Sequence, residues 1–288
     1  MEEIELRSEV PEFKTQLLKW VGNKQRFANE IIRYFPSEFN CFYEPFFGSG
    51  AVSATLMPKK GVGSDISEPL MEIWKCLKED PSLLKEWYSS RYDRLINEDK
   101  KVVYESIKES FNKRPNGADL LFLCRSCYGG VVRFRKMDGY MSTPCGVHEP
   151  ISSDSFSKRV DIWHYRLRNV DFAHCDYKDA FNNAKKGDLI YCDPPYVHSQ
   201  SILYRGHSFS AEELFIEIDK AKSRGVYVAL SIDGEKKSGK VKCDLNIPEG
   251  LFKRELFVNV GRSMLRRFQM EGCTLENEIV ADRLLLTY

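Results

Sequence analysis

Short apolar stretches that read as strands alternate with helical stretches along most of the chain, and the rhythm breaks once, between residues 80 and 165. "FNCFYEPFFGSGAVSATLM" reads as strand, glycine turn and helix, and "KKGVGSDISEPLMEIWKCL" repeats the unit with a strand ending at Asp65. The alternation resumes with "VDFAHCDYKDAFNNA", "GDLIYCDPPY", a helix near 211–224 and "GVYVALSIDG". Such βα repetition specifies a mostly parallel sheet covered on both faces. "RELFVNV" and "ENEIVADRLLLTY" are expected to add an antiparallel edge. Phe27, Ile31 and Phe35 recur at helical spacing over residues 24–35, with Pro36 closing that helix. The expected architecture is a doubly wound α/β domain built from residues 1–79 and 166–288. Residues 80–165 form a mainly helical insert.

Length and composition agree. At 288 residues the chain exceeds the usual single-domain size, and its 42% hydrophobic content supports a full core. No apolar run approaches the roughly 20 residues that span a bilayer, and "MEEIELRSEV" is no signal peptide. The nine cysteines lack secretory spacing, so reduced thiols in a cytoplasm are expected, without a membrane and as a monomer. Cys124 and Cys127 form a lone CxxC with no second ligand pair, and no metal is expected.

Ligands of open α/β sheets bind beyond the carboxyl ends of the strands. Four features fall there: the turn Gly48–Gly50, Asp65, Asp176 and Asp193. Any one acid could be a helix cap. The turn lacks the third glycine of a pyrophosphate cradle, yet it admits a ligand close to the backbone. With a carboxylate one strand later, it suits a nucleoside cofactor without a diphosphate. S-adenosylmethionine fits, and on these features alone a nicotinamide cofactor stays open. "GEKKSGK", Gly234 to Lys240, imitates a phosphate loop. Val241 stands where the metal-binding hydroxyl belongs, so a basic surface loop is expected.

In "DLIYCDPPYVHSQ" a strand is cut off by Pro194 and Pro195, directly after Asp193 and before Tyr196. An exocyclic amine on a nucleobase is a poor nucleophile because its lone pair is delocalised into the ring. A carboxylate and a rigid carbonyl, Asp193 and Pro194, can accept hydrogen bonds from that NH₂ and free the lone pair. Tyr196 would stack on the base, worth roughly 1–3 kcal/mol. The base must leave the duplex stack for this.

"KWVGNK" (19–24), "EPFFGSG" (44–50), Asp65, "CDY" (175–177) and "DPPY" (193–196), in this order, closely resemble the Dam-like, D12-class, alpha-group DNA adenine-N6 methyltransferases. The resemblance runs from about residue 17 to the C-terminus. It implies a Rossmann-like, S-adenosylmethionine-dependent methyltransferase sheet whose insert recognises double-stranded DNA. Carried over, it places Trp20 and Lys24 beside the cofactor and Phe46, Gly48 and Gly50 along its methionine side. Asp65 would hold the ribose, and Asp176 and Tyr177 the cofactor adenine. Asp193, also against the cofactor, would act with Pro194, Pro195 and Tyr196 on the target base.

Two departures bear on detail. Asn23 replaces a glycine common in the family, which puts the approach of Lys24 in question. "CYGGVVRF" lacks the family's asparagine, although Arg133 keeps the place of its arginine. A net charge of +1 does not supply DNA binding globally, so the positive charge must be local. The candidate DNA-facing residues are Lys19, Arg125, Tyr128, Arg133 and Arg135. Lys136, the loop lysines 236, 237, 240 and 242, and Arg262, Arg266 and Arg267 add further positive clusters. The enzyme is expected to be free-standing or to have a cognate restriction endonuclease as functional partner, in a prokaryotic or viral-host cytoplasm. The competing readings are a cytosine-N4 or RNA-base acceptor on the same fold, and a non-catalytic DNA-binding regulator. A mere binder has no use for Asp193.

Overall fold

The computed structural model describes residues 5–7, 10–135, 137–195, 209–233, 235–236, 241–242, 246–261 and 280–288. Seven strands form one sheet: β1 (Phe42–Glu44), β2 (Gly61–Asp65), β3 (Val170–His174), β4 (Leu189–Cys192), β5 (Tyr227–Asp233), β8 (Arg254–Gly261) and β9 (Val280–Leu286). Their order is β3-β2-β1-β4-β5-β9-β8. The first five are mutually parallel, and β9 runs antiparallel between β5 and β8. This is the expected mostly parallel, Rossmann-like sheet with an antiparallel edge. A separate hairpin of β6 (Glu235–Lys236) and β7 (Val241–Lys242) occupies part of the lysine-rich loop.

Strand order reverses between β1 and β4, which pair in the register Phe42↔Leu189 and Tyr43↔Ile190. The chain leaving β1 enters the glycine turn, and the chain leaving β4 enters Asp193-Pro194-Pro195. The two lie side by side at the switch point where such sheets take ligands. Buried residues of β4 alternate between the faces. Leu189 and Tyr191 pack with Phe35 and Ile31 of one cluster, whereas Ile190 and Cys192 pack with Phe181 and Ile218 of another. The first face is covered by α1 (Ala28–Ile32) and α2 (Ala51–Leu56), the second by α8 (Tyr177–Asn183) and α9 (Ala211–Ser223). The expected helix over 24–35 contracts to α1, preceded by turns over residues 25–27 in which the Phe27 N–H donates to the Lys24 carbonyl.

After α3 (Glu68–Glu79) come α4 (Pro81–Asn97), α5 (Lys100–Lys113), α6 (Gly117–Ser126) and α7 (Ser153–Arg166). The side chains of Asp80, Asp99, Asn116 and Ser152 accept from main-chain N–H groups of the first turns of α4 to α7. These helices have no core of their own. Leu84, Tyr88, Tyr104, Phe111 and Phe122 share one cluster with Trp74 and Leu70 of α3 and with Phe47 of the glycine turn. Among the described residues no helix is long and apolar enough to cross a membrane.

A shared core makes a stability prediction. Leu121→Ala, at a fully buried position in α6, should cost about 2–5 kcal/mol. Calorimetry should still record one unfolding transition. Two separated transitions, with only one displaced, would show that residues 80–165 unfold by themselves.

Candidate active site

Trp20, Gly22, Lys24, Glu44, Phe46, Gly48, Asp193 and Pro194 are among the residues that line a cleft at the switch point. One wall is the glycine turn. Gly48 donates its N–H to Asp65 Oδ2 at 3.1 Å and accepts from Trp74 Nε1 at 3.1 Å. A Cβ on Gly48 would sit 3.2 Å from the Trp20 ring, so glycine is what lets the indole lie directly on the turn. Gly50 has φ +64° and opens α2. A Cβ there would meet the Phe47 ring at 2.6 Å, because that ring folds back beneath the turn onto Trp74 and Phe172.

The other wall is the segment around Trp20 and Lys24. Asn23 keeps the turn intact: its Oδ1 accepts from the Gln25 N–H at 2.8 Å, and Gly22 takes the left-handed φ of 77°. Lys24 then points across the cleft to Asp193, with Nζ 3.1 Å from Oδ1. The lysine side chain is 6% exposed and the aspartate 17%, so water screens this pair poorly. Lys24 therefore meets the catalytic candidate as well as the cofactor space.

Glu44 is the residue that sequence reasoning passed over, although it begins the EPFFGSG motif. It is buried at the end of β1, where Oε2 accepts from the Ser53 N–H at 3.0 Å and from Ser53 Oγ at 2.5 Å. Gly50 brings no capping side chain, and the Glu44 carboxyl takes that place for α2. Burial pushes its pKa up to about 8, against the lowering effect of the Ser53 hydrogen bonds. Asp193 adds repulsion in the same direction.

Asp65 does not line the cleft. It lies under the turn, with Oδ1 accepting from the Ser67 N–H at 3.0 Å and Oδ2 taken by Gly48. Burial raises its pKa to about 6 despite these donors. Phe46, on the cleft wall, stacks on Tyr177 with centroids 5.3 Å apart at 24°. Asp176 is exposed and caps α8 through the Lys178 N–H at 2.9 Å. Pro195 follows half-buried, and Tyr196 lies outside the described residues.

The DNA-facing candidates separate by burial. Arg125 is 5% exposed and donates to the carbonyls of Leu17 and Gln16, so it is an internal tie and not a surface cation. Arg135 forks onto Asp138 (3.1 and 2.7 Å) and stacks on Tyr140, which stiffens a hairpin between Arg133 and Ser142. Arg133 is exposed, and its hydrogen bonds run through its main chain to Thr143 and Ser142. Tyr128 is 45% exposed on a glycine turn whose Gly130 abuts the stem of exposed Lys19. Lys136, Lys237, Lys240, Arg262, Arg266 and Arg267 lie outside the described residues. Cys124 and Cys127 are buried free thiols, and Cys127 faces Cys145 across an antiparallel bridge.

Residues 20–259 match the D12 class N6 adenine-specific DNA methyltransferases. The chain belongs to this family. It is 25% identical to a type II methyltransferase of Lactococcus lactis subsp. cremoris over 248 residues, 80% of this chain and 84% of that one. A type II methyltransferase of Methanocaldococcus jannaschii is 31% identical over 62% of this chain and 68% of its own. A DNA adenine methylase of Vibrio cholerae is 26% identical over 74% of this chain and 79% of its own. The protein is an adenine-N6 DNA methyltransferase that uses S-adenosylmethionine.

The acid at the cleft floor makes a pH prediction for this methyltransferase. Glu44 binds its proton up to about pH 8 when folded, against an ordinary value of 4.5. Between those limits the folded state holds more protons than the unfolded one, so this group's contribution to stability falls as pH rises. Glu44→Gln can still accept from Ser53 but does not titrate. The wild type should lose more melting temperature than Glu44→Gln between pH 5 and pH 8. Parallel curves would mean that Glu44 is already ionised at pH 5.

Proposed function

We propose that the cleft between the glycine turn and Lys24 holds the methyl donor, and that Asp193 and Pro194 receive the adenine amine of double-stranded DNA. The ion pair of Asp193 with Lys24 inside a cleft walled by Gly48 carries this reading. S-adenosylmethionine supplies an electrophilic methyl group on a sulfonium. The residues fit it: small residues at Gly48, Ser49 and Ala51 line one side, and Glu44 is an acidic group in the lining for a ligand ammonium. Phe46, backed by Tyr177, offers a flat apolar wall for a nucleobase.

Asp193 accepts a hydrogen bond from the target amine, and the Pro194 carbonyl accepts the second. Together they turn the nitrogen lone pair out of conjugation and toward the methyl group. The Asp193 carboxylate, paired with Lys24, offers its oxygens as acceptors. No strong base is needed before the methyl moves, because the cationic methylated nitrogen sheds its proton afterwards, to Asp193 or to water; positioning and exclusion of water supply most of the rate. The cleft sits at the sheet's end, out of reach of a stacked base, and the adenine must flip out at a few kcal/mol. Likeness to type II methyltransferases supports a modification role beside a cognate endonuclease.

Asp193→Asn preserves shape but loses the charge and one acceptor. Methyl transfer to genomic DNA should fall by about 10²–10³-fold, an effect comparable to removing one transition-state hydrogen bond elsewhere. DNA binding should change little, because Asp193 touches one amine and not the duplex. A near-wild-type rate would remove Asp193 from the chemistry. Single-molecule sequencing of DNA from expressing cells should find N6-methyladenine at a defined site, whereas N4-methylcytosine would favour the other acceptor.

Recognition is assigned to residues 80–165, with Arg133 reading a base edge and Lys19 on the backbone. Arg133→Ala should relax preference at one position, costing about 1–3 kcal/mol of discrimination there. Arg135→Ala should act mainly through the hairpin's stability, given its fork onto Asp138. Methylation rates on the site and its single-base variants, at one salt concentration, separate the two. Uniform slowing by Arg133→Ala would make it a phosphate contact.

A further inference from the structure

The main chain carrying Trp20 and Lys24 has neither helix nor strand between residues 11 and 27. Its carbonyls need partners from elsewhere, and α6 and α7 supply them. Arg125 on α6 donates to the Leu17 carbonyl at 2.6 Å. On α7, Arg159 donates to Gln16 at 2.7 Å and Trp163 Nε1 to Thr15 at 2.9 Å. Trp163 also packs 5.5 Å from Trp74, the residue that holds the Gly48 carbonyl. One side chain of α7 thus supports both walls of the cleft. A guanidinium buried as deeply as Arg125 against neutral carbonyls is a costly device if stability were its whole purpose.

We propose that Arg159 and Trp163, with Arg125, are positioning residues for methyl transfer. Through main chain 15–17 they set Trp20 on Gly48 and Lys24 against Asp193, so that the helices around the recognition hairpin also build the cofactor cleft. The proposal rests on the cleft being the methyl-donor site. Lys19 extends the connection, because its stem lies against Gly130 beside exposed Tyr128. Substrate at that turn and cofactor in the cleft then share one support.

Arg159→Met removes the donor and keeps the stem, whereas Arg159→Lys keeps a donor. Ile107→Val, a core change in α5, is the destabilised control. Three quantities are measured: hydrogen exchange of residues 15–24 in cofactor-free protein, cofactor KM and kcat on genomic DNA from a methylase-free strain, and Tm. Arg159→Met should speed exchange at 15–24 and raise cofactor KM about tenfold, the scale of one charge-assisted hydrogen bond. Arg159→Lys should recover most of both. Ile107→Val should lower Tm with KM unchanged. Trp163→Phe, which keeps the ring on Trp74 without the N–H, should shift KM in the same direction and carries the test if Arg159→Met does not fold. The proposal is overturned if exchange and KM stay at wild type in the Arg159 and Trp163 variants, or if Ile107→Val shifts KM equally. A wild type that leaves adenine N6 unmethylated overturns the functional reading instead, a result visible before any variant is made.

Discussion

Gly48 is held from three sides, and the geometry of the cleft follows from that restraint. Its N–H goes to Asp65, its carbonyl receives the Trp74 indole, and Trp20 lies on its Cα. Each partner belongs to a different part of the chain: the end of β2, the middle of α3, and the irregular N-terminal segment. A turn restrained in this way need not be ordered when a ligand binds beside it, which lowers the entropic cost of association. The position of Asp65 follows. Both oxygens brace main-chain N–H groups beneath the turn, so its demonstrated structural work is to shape the cleft from below.

Charge is distributed across the same cleft in an economical pattern. Lys24, Asp193 and Glu44 are a cation and two acids at a largely buried site. If both acids ionised, one lysine would face two negative charges in a medium that screens them poorly. The raised pKa of Glu44 resolves this, because near neutrality it holds its proton while Asp193 pairs with Lys24. A bound cation at the cleft floor would reverse that balance and favour ionised Glu44.

The helical segment contributes in two ways that its composition does not distinguish. Its arginines look alike in sequence, yet Arg125 and Arg159 face inward to carbonyls, Arg135 closes a hairpin, and Arg133 stays at the surface. Phe134, between Arg133 and Arg135, is buried in the shared cluster. Only part of the positive charge is thus available to phosphates.

Much of this protein was legible from sequence because its signals are local. The βα alternation, the two-glycine turn, the proline pair after Asp193 and the late antiparallel strands each depend on neighbouring residues, and the sheet carries them as expected. The order of the motifs sufficed to name the reaction. Fates set by distant partners were not legible. Nothing near Arg125 in the chain marks it as a tie to Leu17, 108 positions away, and nothing near Trp74 marks it as the anchor of Gly48, 26 away. Glu44 stood in plain view within a motif, but its raised pKa depends on the depth at which β1 buries it, against which the Ser53 hydrogen bonds work. Residue types and their local spacing determined the chemistry available to this chain; burial and long-range hydrogen bonding, which exist only once the sheet is closed, decided which groups perform it.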